Sequence, residues 1–422
     1  MIAHMAKALL PLFIILFAFL SIARIAASRQ YSNSPVSSSL PQNLPDKIDA
    51  LFAPLAGSRS PGLAVLVLKD GKKLFERGYG VRDLRSAPKI DAHTNFRLAS
   101  CSKQFTAMAI MLLVHDGKLR YDQALTDIFT DFPAYGKSIT IRNLLNHTGG
   151  LQDYETLMDQ AAAPTAAHPS GQKWTEENQI QDAEVLALLE QTDHRMFAPA
   201  TQWYYSNSGY VVLGLVIAKV SGQPFREFLR QRVFAPLKME HTLAYERGKN
   251  EIPNRAYGHA NEGNSWKQTD QSSTSATLGD GGIYSSLEDL TKWDEALRAN
   301  KLLSKEEMQP ALTPFTFAHV LPNGDMRPRW PANSDRPEGS TALYGFGWFL
   351  DPYRNHPRMW HYGETTGFHS YIVRFIANKD AASDLLAGVT IIVLCNRTDI
   401  TPETLAQKIA DVMLSPTDSN PS

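Results

Sequence analysis

Residues 94–117 read TNFRLASCSKQFTAMAIMLLVHDG. The first part, Thr94–Ala99, is extended in character. From 101 to 116 apolar residues fall on nearly every face, which predicts a buried central helix. Gly117 is placed to close it with a left-handed residue. Upstream, Pro61–Leu68 (PGLAVLVL) is a strand-like run, and Asp70-Gly71 before 73–81 predicts a hairpin. Downstream, 183–191 and 208–232 read as helices, with loops at 163–176 and 250–280. Residues 286–298 form an amphipathic helix pattern; 344–350, 369–376 and 386–395 read as strands, and 402–414 as a closing helix. Strands thus gather at both ends of the chain and helices in the middle. This predicts an α+β fold, an antiparallel sheet flanked by helices and built from both chain ends, with a mainly helical insert. The expected boundaries are 45–130 plus 280–415 for the sheet domain, 131–279 for the helical domain and 416–422 for a tail.

The chain has 422 residues, and at roughly 150 per domain that suggests two to three domains. Hydrophobic residues are 43% and charged residues 20%, ordinary values that exclude a disordered or collagen-like chain. With 42 Lys plus Arg against 43 Asp plus Glu the net charge is -1, a balance that gives no support for a nucleic-acid partner, which usually needs a basic face. No repeat of the solenoid or propeller kind is visible. Two cysteines, Cys101 and Cys395, are too few for a disulfide scaffold, and whether they pair is open.

Residues 8–23 (ALLPLFIILFAFLSIA) are uncharged, follow Lys7 and precede Ile25-Ala26-Ala27. A basic start, a short apolar run and a small-residue end predict a signal peptide over 1–27. The alternative is an uncleaved membrane anchor, the only expected membrane contact. Residues 28–44, rich in Ser and Pro, read as a flexible lead-in. The body is expected outside the cytoplasm, with the periplasm as first choice.

Three patterns carry chemistry. In Ser100-Cys101-Ser102-Lys103, positions i and i+3 share a helix face, so the lysine reaches the serine hydroxyl. A helix start also favours developing negative charge. A serine becomes nucleophilic when a base takes its proton, and a lysine serves when burial or a nearby cation lowers its pKa. The bland reading is a helix cap and a surface lysine. In Tyr205-Ser206-Asn207 the phenol can shuttle a proton and the Asn can grip an amide; the bland reading is core packing and a turn. In His361-Tyr362-Gly363-Glu364, His361 can bind a carboxylate or polarise the Tyr205–Lys103 pair. Gly363 would admit a substrate backbone to a strand edge. The bland reading of His361 is a structural histidine.

Taken together and in this order, the three patterns resemble the penicillin-recognising serine hydrolases: class C β-lactamases, D-alanyl-D-alanine carboxypeptidases and related esterases. S-x-x-K is the nucleophile motif of that group, with S-D-N and K-T-G as its partners. Supporting phrases include FRLASCSKQFTA, LLNHTGGL, SGQPF, PLKMEHT and GGIYSSLEDL, and the likeness runs over about residues 45–415. The resemblance implies an acyl-enzyme on Ser100, activated by Lys103, with Tyr205 as general base and proton carrier. Asn207 would hold the substrate amide, and His361 would stand at the lysine of K-T-G. The N–H groups of Ser100 and Glu364 would form the oxyanion hole. No metal and no cofactor are implied. The substrate would be a small molecule or peptide, an ester or amide, with peptidoglycan fragments among the candidates. The alternative is a silent or single-turnover penicillin sensor.

Three features depart from the family pattern. His361 replaces a lysine, Glu364 adds negative charge where an anionic substrate would sit, and Pro199-Ala200-Thr201 replaces Pro-Gly-Thr. The first two weigh against strong β-lactam hydrolysis. Cys101 is a competing nucleophile only if a base faces it, and adjacent helical residues diverge by about 100°. H-E-x-x-H, G-x-S-x-G and the nucleotide P-loop are absent from the sequence. Asn146 and Asn396 match the glycosylation pattern by chance in this reading. Trp203, Tyr204, Tyr257, Tyr284, Trp348 and Phe368 are candidate aromatic wall residues, with Tyr284 ranked first as a lining residue.

Overall fold

The computed structural model describes residues 40–415 except 56, 58, 163–170, 172, 264, 316–342 and 377–383. The expected signal peptide, most of the lead-in, part of the 163–176 loop and the tail lie outside the described residues. The strands are β1 (Leu63–Lys69), β2 (Lys72–Tyr79), β3 (Phe96–Arg97), β4 (Leu243–Ala244), β5 (His259–Glu262), β6 (Ser265–Gln268), β7 (Ile283–Ser285), β8 (Leu343–Tyr344), β9 (Phe349–Tyr353), β10 (His356–Thr365), β11 (Phe368–Phe375) and β12 (Val389–Cys395). The helices are α1 (Leu44–Phe52), α2 (Lys103–His115), α3 (Ile141–Leu145), α4 (Tyr154–Ala162), α5 (Asp182–Glu190), α6 (Asn207–Ser221), α7 (Phe225–Leu229), α8 (Leu287–Arg298), α9 (Lys305–Leu312) and α10 (Pro402–Leu414).

Seven strands form one antiparallel sheet in the order β2-β1-β12-β11-β10-β9-β8. Two come from the first part of the chain and five from the last, as the distribution of apolar runs predicts. β1 and β12 are paired from Leu63↔Cys395 to Lys69↔Val389. All of β12, and β1 up to Leu68, are buried. That is why these strands read as continuous apolar runs rather than alternating ones: both faces of the sheet are covered. The β1–β2 hairpin closes through Asp70 and Gly71, both at positive φ (51° and 77°), the backbone a two-residue type I′ turn requires. α1 and α10 pack on β2, β11 and β12, while α2 packs on α6 of the helical layer. α2 ends in Gly117 (φ 68°), with Lys118 N–H donating to Leu113 O at 3.0 Å and Gly117 N–H to Val114 O at 3.0 Å. That is the paired C-terminal closure glycine permits.

Several expectations are corrected in detail. The 208–232 helix is two, because Gly222 (φ 71°) ends α6 and Pro224 precedes α7. The 344–350 strand is two, β8 and β9, separated by a turn in which Gly345 N–H donates to Trp348 O at 2.9 Å. The 250–280 loop contains the β5–β6 hairpin. β10, the longest strand among the described residues, escaped a full reading because Pro357, Gly363 and charged residues interrupt its alternation. Cys101 and Cys395 are both free and buried, so they do not pair. Asn396 is a structural pin: it accepts from Gly62 N–H at 2.7 Å and donates to Tyr257 O at 3.0 Å. Asn146 is likewise buried. No described helix is long and apolar enough to cross a membrane.

The Pro-Ala-Thr departure also has a local reading. Ala200 sits at φ 62°, a conformation that a Cβ disfavours by about 1 kcal/mol or more. Ala200→Gly is therefore expected to raise stability by about 0.5–1 kcal/mol in urea melts, with activity little changed.

Candidate active site

Ser100 lies on a 3₁₀ turn, Ala99–Ser102, that runs directly into α2. Ala99 before it is held at φ 47°, a strained position costing about 1–3 kcal/mol that surrounding contacts must sustain. Those contacts are identifiable. Leu98 N–H donates to Ile283 O at 2.9 Å and the Ser102 hydroxyl accepts from Ile283 N–H at 3.2 Å. Thr106 donates to Gly279 O at 2.7 Å. The segment around β7 therefore clamps the nucleophile turn from one side, and β10 supports it from another.

Gly363 shows how close that support is. A Cβ built there would stand 2.1 Å from Leu98 O and 3.2 Å from the Ala99 Cβ. The missing side chain is what lets the chain's own Leu98–Ala99 pack this closely on β10. Gly363→Ala is expected to displace the Ser100 turn and lower kcat/KM by about 10²-fold, as a shift near 1 Å can. Thermal melts should show a loss of about 1–3 kcal/mol.

Lys103 opens α2 and is fully buried. Its Nζ donates to Ser100 Oγ at 2.9 Å, Asn207 Oδ1 at 2.8 Å and Asp280 O at 2.9 Å. Three acceptors saturate the ammonium's three donors. Burial lowers its pKa to about 8, with the Asp280 carboxylate working in the opposite direction. Asn207 is the first residue of α6, capped by Ser206, whose hydroxyl accepts from Gly209 N–H at 3.1 Å.

Tyr205 is buried, and burial pushes its phenol well above the ordinary range; the Ser100 hydroxyl is the neighbour acting against that rise. Its Oη has no hydrogen bond of normal geometry. Lys103 Nζ lies 4.9 Å from the Tyr205 ring centroid, over the ring rather than bonded to the phenol oxygen. In this resting arrangement the phenol is a neutral proton donor, and the amine of Lys103 is the group that titrates within reach of neutral pH.

The remaining expected residues separate. Glu364 and Thr365 border the Ser100 cleft, which has a volume of about 60 Å³, together with Asn207 and Asp280. His361 is buried, with Nδ1 2.5 Å from Tyr362 O and Nε2 2.9 Å from the Tyr344 hydroxyl. Both nitrogens are thus held by the protein. Tyr284 does not line the cleft: it is 1% exposed, and its hydroxyl is 3.4 Å from Gln271 Nε2 and 3.5 Å from Arg255 Nη2. None of the candidate aromatics borders the cleft, whose wall is polar. Cys101 points away, its thiol donating to His361 O at 3.3 Å, and burial raises its pKa. A roomier cavity of about 500 Å³, beside Arg298, Lys305 and Arg374, holds none of these groups.

Sequence reasoning missed His147, although it stands inside LLNHTGGL. At φ 62° it turns its ring into an aromatic box, with centroids 4.5 Å from Tyr205, 4.4 Å from Tyr344 and 5.1 Å from Tyr210. Its Nδ1 accepts from Ser206 N–H at 3.1 Å, and its carbonyl accepts from Tyr204 N–H at 3.1 Å. The residues on both sides of Tyr205 are therefore tied to one histidine. Burial, and then the charge of Lys103, push the imidazole well below its ordinary range, so it stays neutral. His147→Phe keeps the ring packing but strands the Ser206 N–H, which should cost about 1–3 kcal/mol in denaturant melts. A loss in kcat exceeding that in KM would mark displacement of Tyr205.

The sequence matches the beta-lactamase family over residues 48–412. The chain belongs to that family. It is 29% identical over 353 residues to penicillin-binding protein 4* of Bacillus subtilis (strain 168), covering 80% of this chain and 70% of the relative. Its fold is similar to that of the octameric penicillin-binding protein homologue from Pyrococcus abyssi, with TM-score 0.67, 22% identity, and 89% and 78% of the two chains covered. It is similar as well to the D-amino acid amidase from Ochrobactrum anthropi SV3, with TM-score 0.67, 22% identity, and 88% and 97% covered. The chain is a serine hydrolase of this beta-lactamase and penicillin-binding-protein type, with its fold.

Proposed function

We propose that the protein hydrolyses an amide or ester through an acyl-enzyme on Ser100. The observation that carries this reading is the buried Lys103 Nζ, 2.9 Å from Ser100 Oγ, with its pKa lowered to about 8. The neutral amine takes the Ser100 proton as Oγ bonds to the acyl carbon. The carbonyl oxygen becomes an oxyanion, for which the N–H groups of Ser100 and Glu364 are the proposed donors. Collapse of the intermediate breaks the bond to the leaving group, which takes a proton from the Tyr205 phenol. The Lys103 ammonium returns a proton to Tyr205. Water then attacks the acyl-enzyme, gives one proton to Lys103, and Ser100 recovers it as the acid leaves.

β9 pairs with β10 only from His356 to Trp360. Beyond Trp360 no described strand pairs with that side of β10, which gives a peptide-like substrate a backbone edge to lie along. Likeness to a D-amino acid amidase supports an amide among the substrates. The occupied nitrogens of His361 argue against recognition of a carboxylate at that position. The export proposal rests on the basic, apolar and small-residue pattern of residues 1–27.

Intact-mass measurement tests the reading with three reagents: a fluorophosphonate, a penicillin and a p-nitrophenyl ester. One adduct per chain, mapped to the peptide holding Ser100, with continuing ester turnover, is expected. A stable penicillin adduct with no turnover of any substrate would move the protein to a single-turnover sensor. No adduct with any reagent would sink the acyl-enzyme.

A further inference from the structure

The Ser100 cleft is small and its wall is polar. Its volume is about 60 Å³, roughly the space that two molecules occupy in liquid water. Two side chains on that wall carry polar atoms with nothing to bond. Asp280 is 6% exposed, and its Oδ1 has no hydrogen-bond partner among the described residues. Arg97 is 4% exposed; its Nη2 donates to Ser275 O at 3.0 Å, and its Nε has no partner among them. One orphaned atom is an acceptor and the other a donor. Leaving either bare in a buried place is costly, and whatever relieves both must accept at one end and donate at the other.

Asp280 is held from several directions. Its Oδ2 accepts from the Tyr154 hydroxyl at 3.3 Å. Its backbone carbonyl accepts from Lys103 Nζ at 2.9 Å, and the carbonyl of Gly279 before it accepts from the Thr106 hydroxyl at 2.7 Å. The free oxygen is therefore set in place. Lys103 ties this residue to the chemistry, since the same Nζ is 2.9 Å from Ser100 Oγ. Once Ser100 carries an acyl group it has no proton to give, and a neutral Lys103 has two N–H groups. Asn207 Oδ1 and Asp280 O take those two, which leaves the nitrogen lone pair on the Ser100 side.

We propose that the cleft holds the water that frees the acyl-enzyme, with Asp280 as its positioning residue. Two waters in series fit the two orphaned atoms. The first accepts from Arg97 Nε and donates to the second. The second donates one hydrogen to Asp280 Oδ1 and turns the other toward Lys103 Nζ. Its oxygen bonds to the acyl carbon, its proton passes to the Lys103 amine, and the carbonyl electron pair moves onto the oxyanion. When the intermediate collapses, the bond from carbon to Ser100 Oγ breaks and Lys103 returns the proton to Oγ. Asp280 gains no proton at any stage. A water seated in this way outcompetes other nucleophiles for the acyl group, so Asp280 keeps the protein a hydrolase and not an acyl transferase. This inference rests on the acyl-enzyme reading above.

The test is acyl partitioning at pH 9, where Lys103 is mainly a neutral amine. p-Nitrophenyl acetate is supplied with hydroxylamine, a nucleophile strong enough to need no seat in the cleft. Acetohydroxamate and acetate are counted above the background of Ser100→Ala. Their ratio does not depend on how fast Ser100 is acylated, and a merely structural loss slows both products together. In Asp280→Ala the hydroxamate-to-acetate ratio is expected to rise by about tenfold or more, within the roughly 10²-fold that a misplaced reacting group can cost. If Asp280→Ala does not fold, Asp280→Asn reads the same ratio, with a smaller rise expected. A crystal structure of the wild type that orders water gives a second reading: a water within hydrogen-bond distance of Asp280 Oδ1 is expected. An unchanged ratio, or an Oδ1 with no water, overturns the inference and leaves the acyl-enzyme standing. Wild-type products no higher than those of Ser100→Ala overturn the acyl-enzyme reading and the inference with it.

Discussion

Ser100→Ala is expected to abolish turnover of every substrate the protein accepts, with kcat/KM on an activated ester falling by about 10⁴-fold or more. The expectation is this strong because the site offers no substitute nucleophile. Cys101 is one residue away, but its thiol is buried and donates to His361 O at 3.3 Å. Tyr205 is held neutral by burial. Lys103 is fully buried, with acceptors on all three of its donors. The variant should fold, since Asn207 and Asp280 still hold the lysine after one of three acceptors is lost. A circular dichroism melt close to that of wild type would establish this. An Ser100→Ala protein that folds and retains more than about a hundredth of the wild-type rate would place the nucleophile elsewhere. Background turnover by the oxyanion donors and binding alone lies far below that level.

The fold was legible wherever local pattern and burial agree. β1 and β12 are apolar throughout because both faces are covered, and such runs announce themselves. Asp70-Gly71 and Gly117 are visible because only a few residue types tolerate positive φ. Legibility failed where one strand serves several masters. β10 holds Trp360 and Met359 in the core, gives up a side chain at Gly363 to admit Leu98–Ala99, and exposes Glu364 at the cleft. No single periodicity survives those demands. The site divides in the same way. The contact of Lys103 with Ser100 was readable because helix geometry fixes i to i+3, whereas the bond from Lys103 to Asn207 Oδ1 was not, since Asn207 was expected to hold a substrate amide. Tyr284 was expected to line the cleft and is buried away from it, because a motif position names a residue without saying which way its side chain turns. His147 and Asp280 stood in or beside quoted phrases. Their roles depend on contacts with residues 59 and 177 positions away, which no local pattern encodes.

Replacing Lys103 with methionine should lower kcat/KM on a neutral ester by about 10³–10⁴-fold, near the upper end of what a general base contributes. The pH profile separates this role from a structural one. A lysine accepts a proton only when neutral, and in the folded protein that form predominates above about 8 rather than above the ordinary 10.5. The wild-type profile should therefore climb about tenfold per pH unit below 8 and flatten above it, and the climb should vanish in Lys103→Met. Stability carries the same signature with a definite sign. Between about 8 and 10.5 the unfolded chain holds a proton that the folded chain has released, so stability rises with pH across that window. Below 8 the penalty of burying the charge is fully present. Its size is on the order of 3 kcal/mol, at about 1.4 kcal/mol per pH unit. Urea melts from pH 7 to 10.5 should show wild type gaining on Lys103→Met as pH rises. A rate profile that climbs only toward 10, with parallel stability curves, would mean that Lys103 holds an ordinary charge, and the base for Ser100 would have to be sought elsewhere.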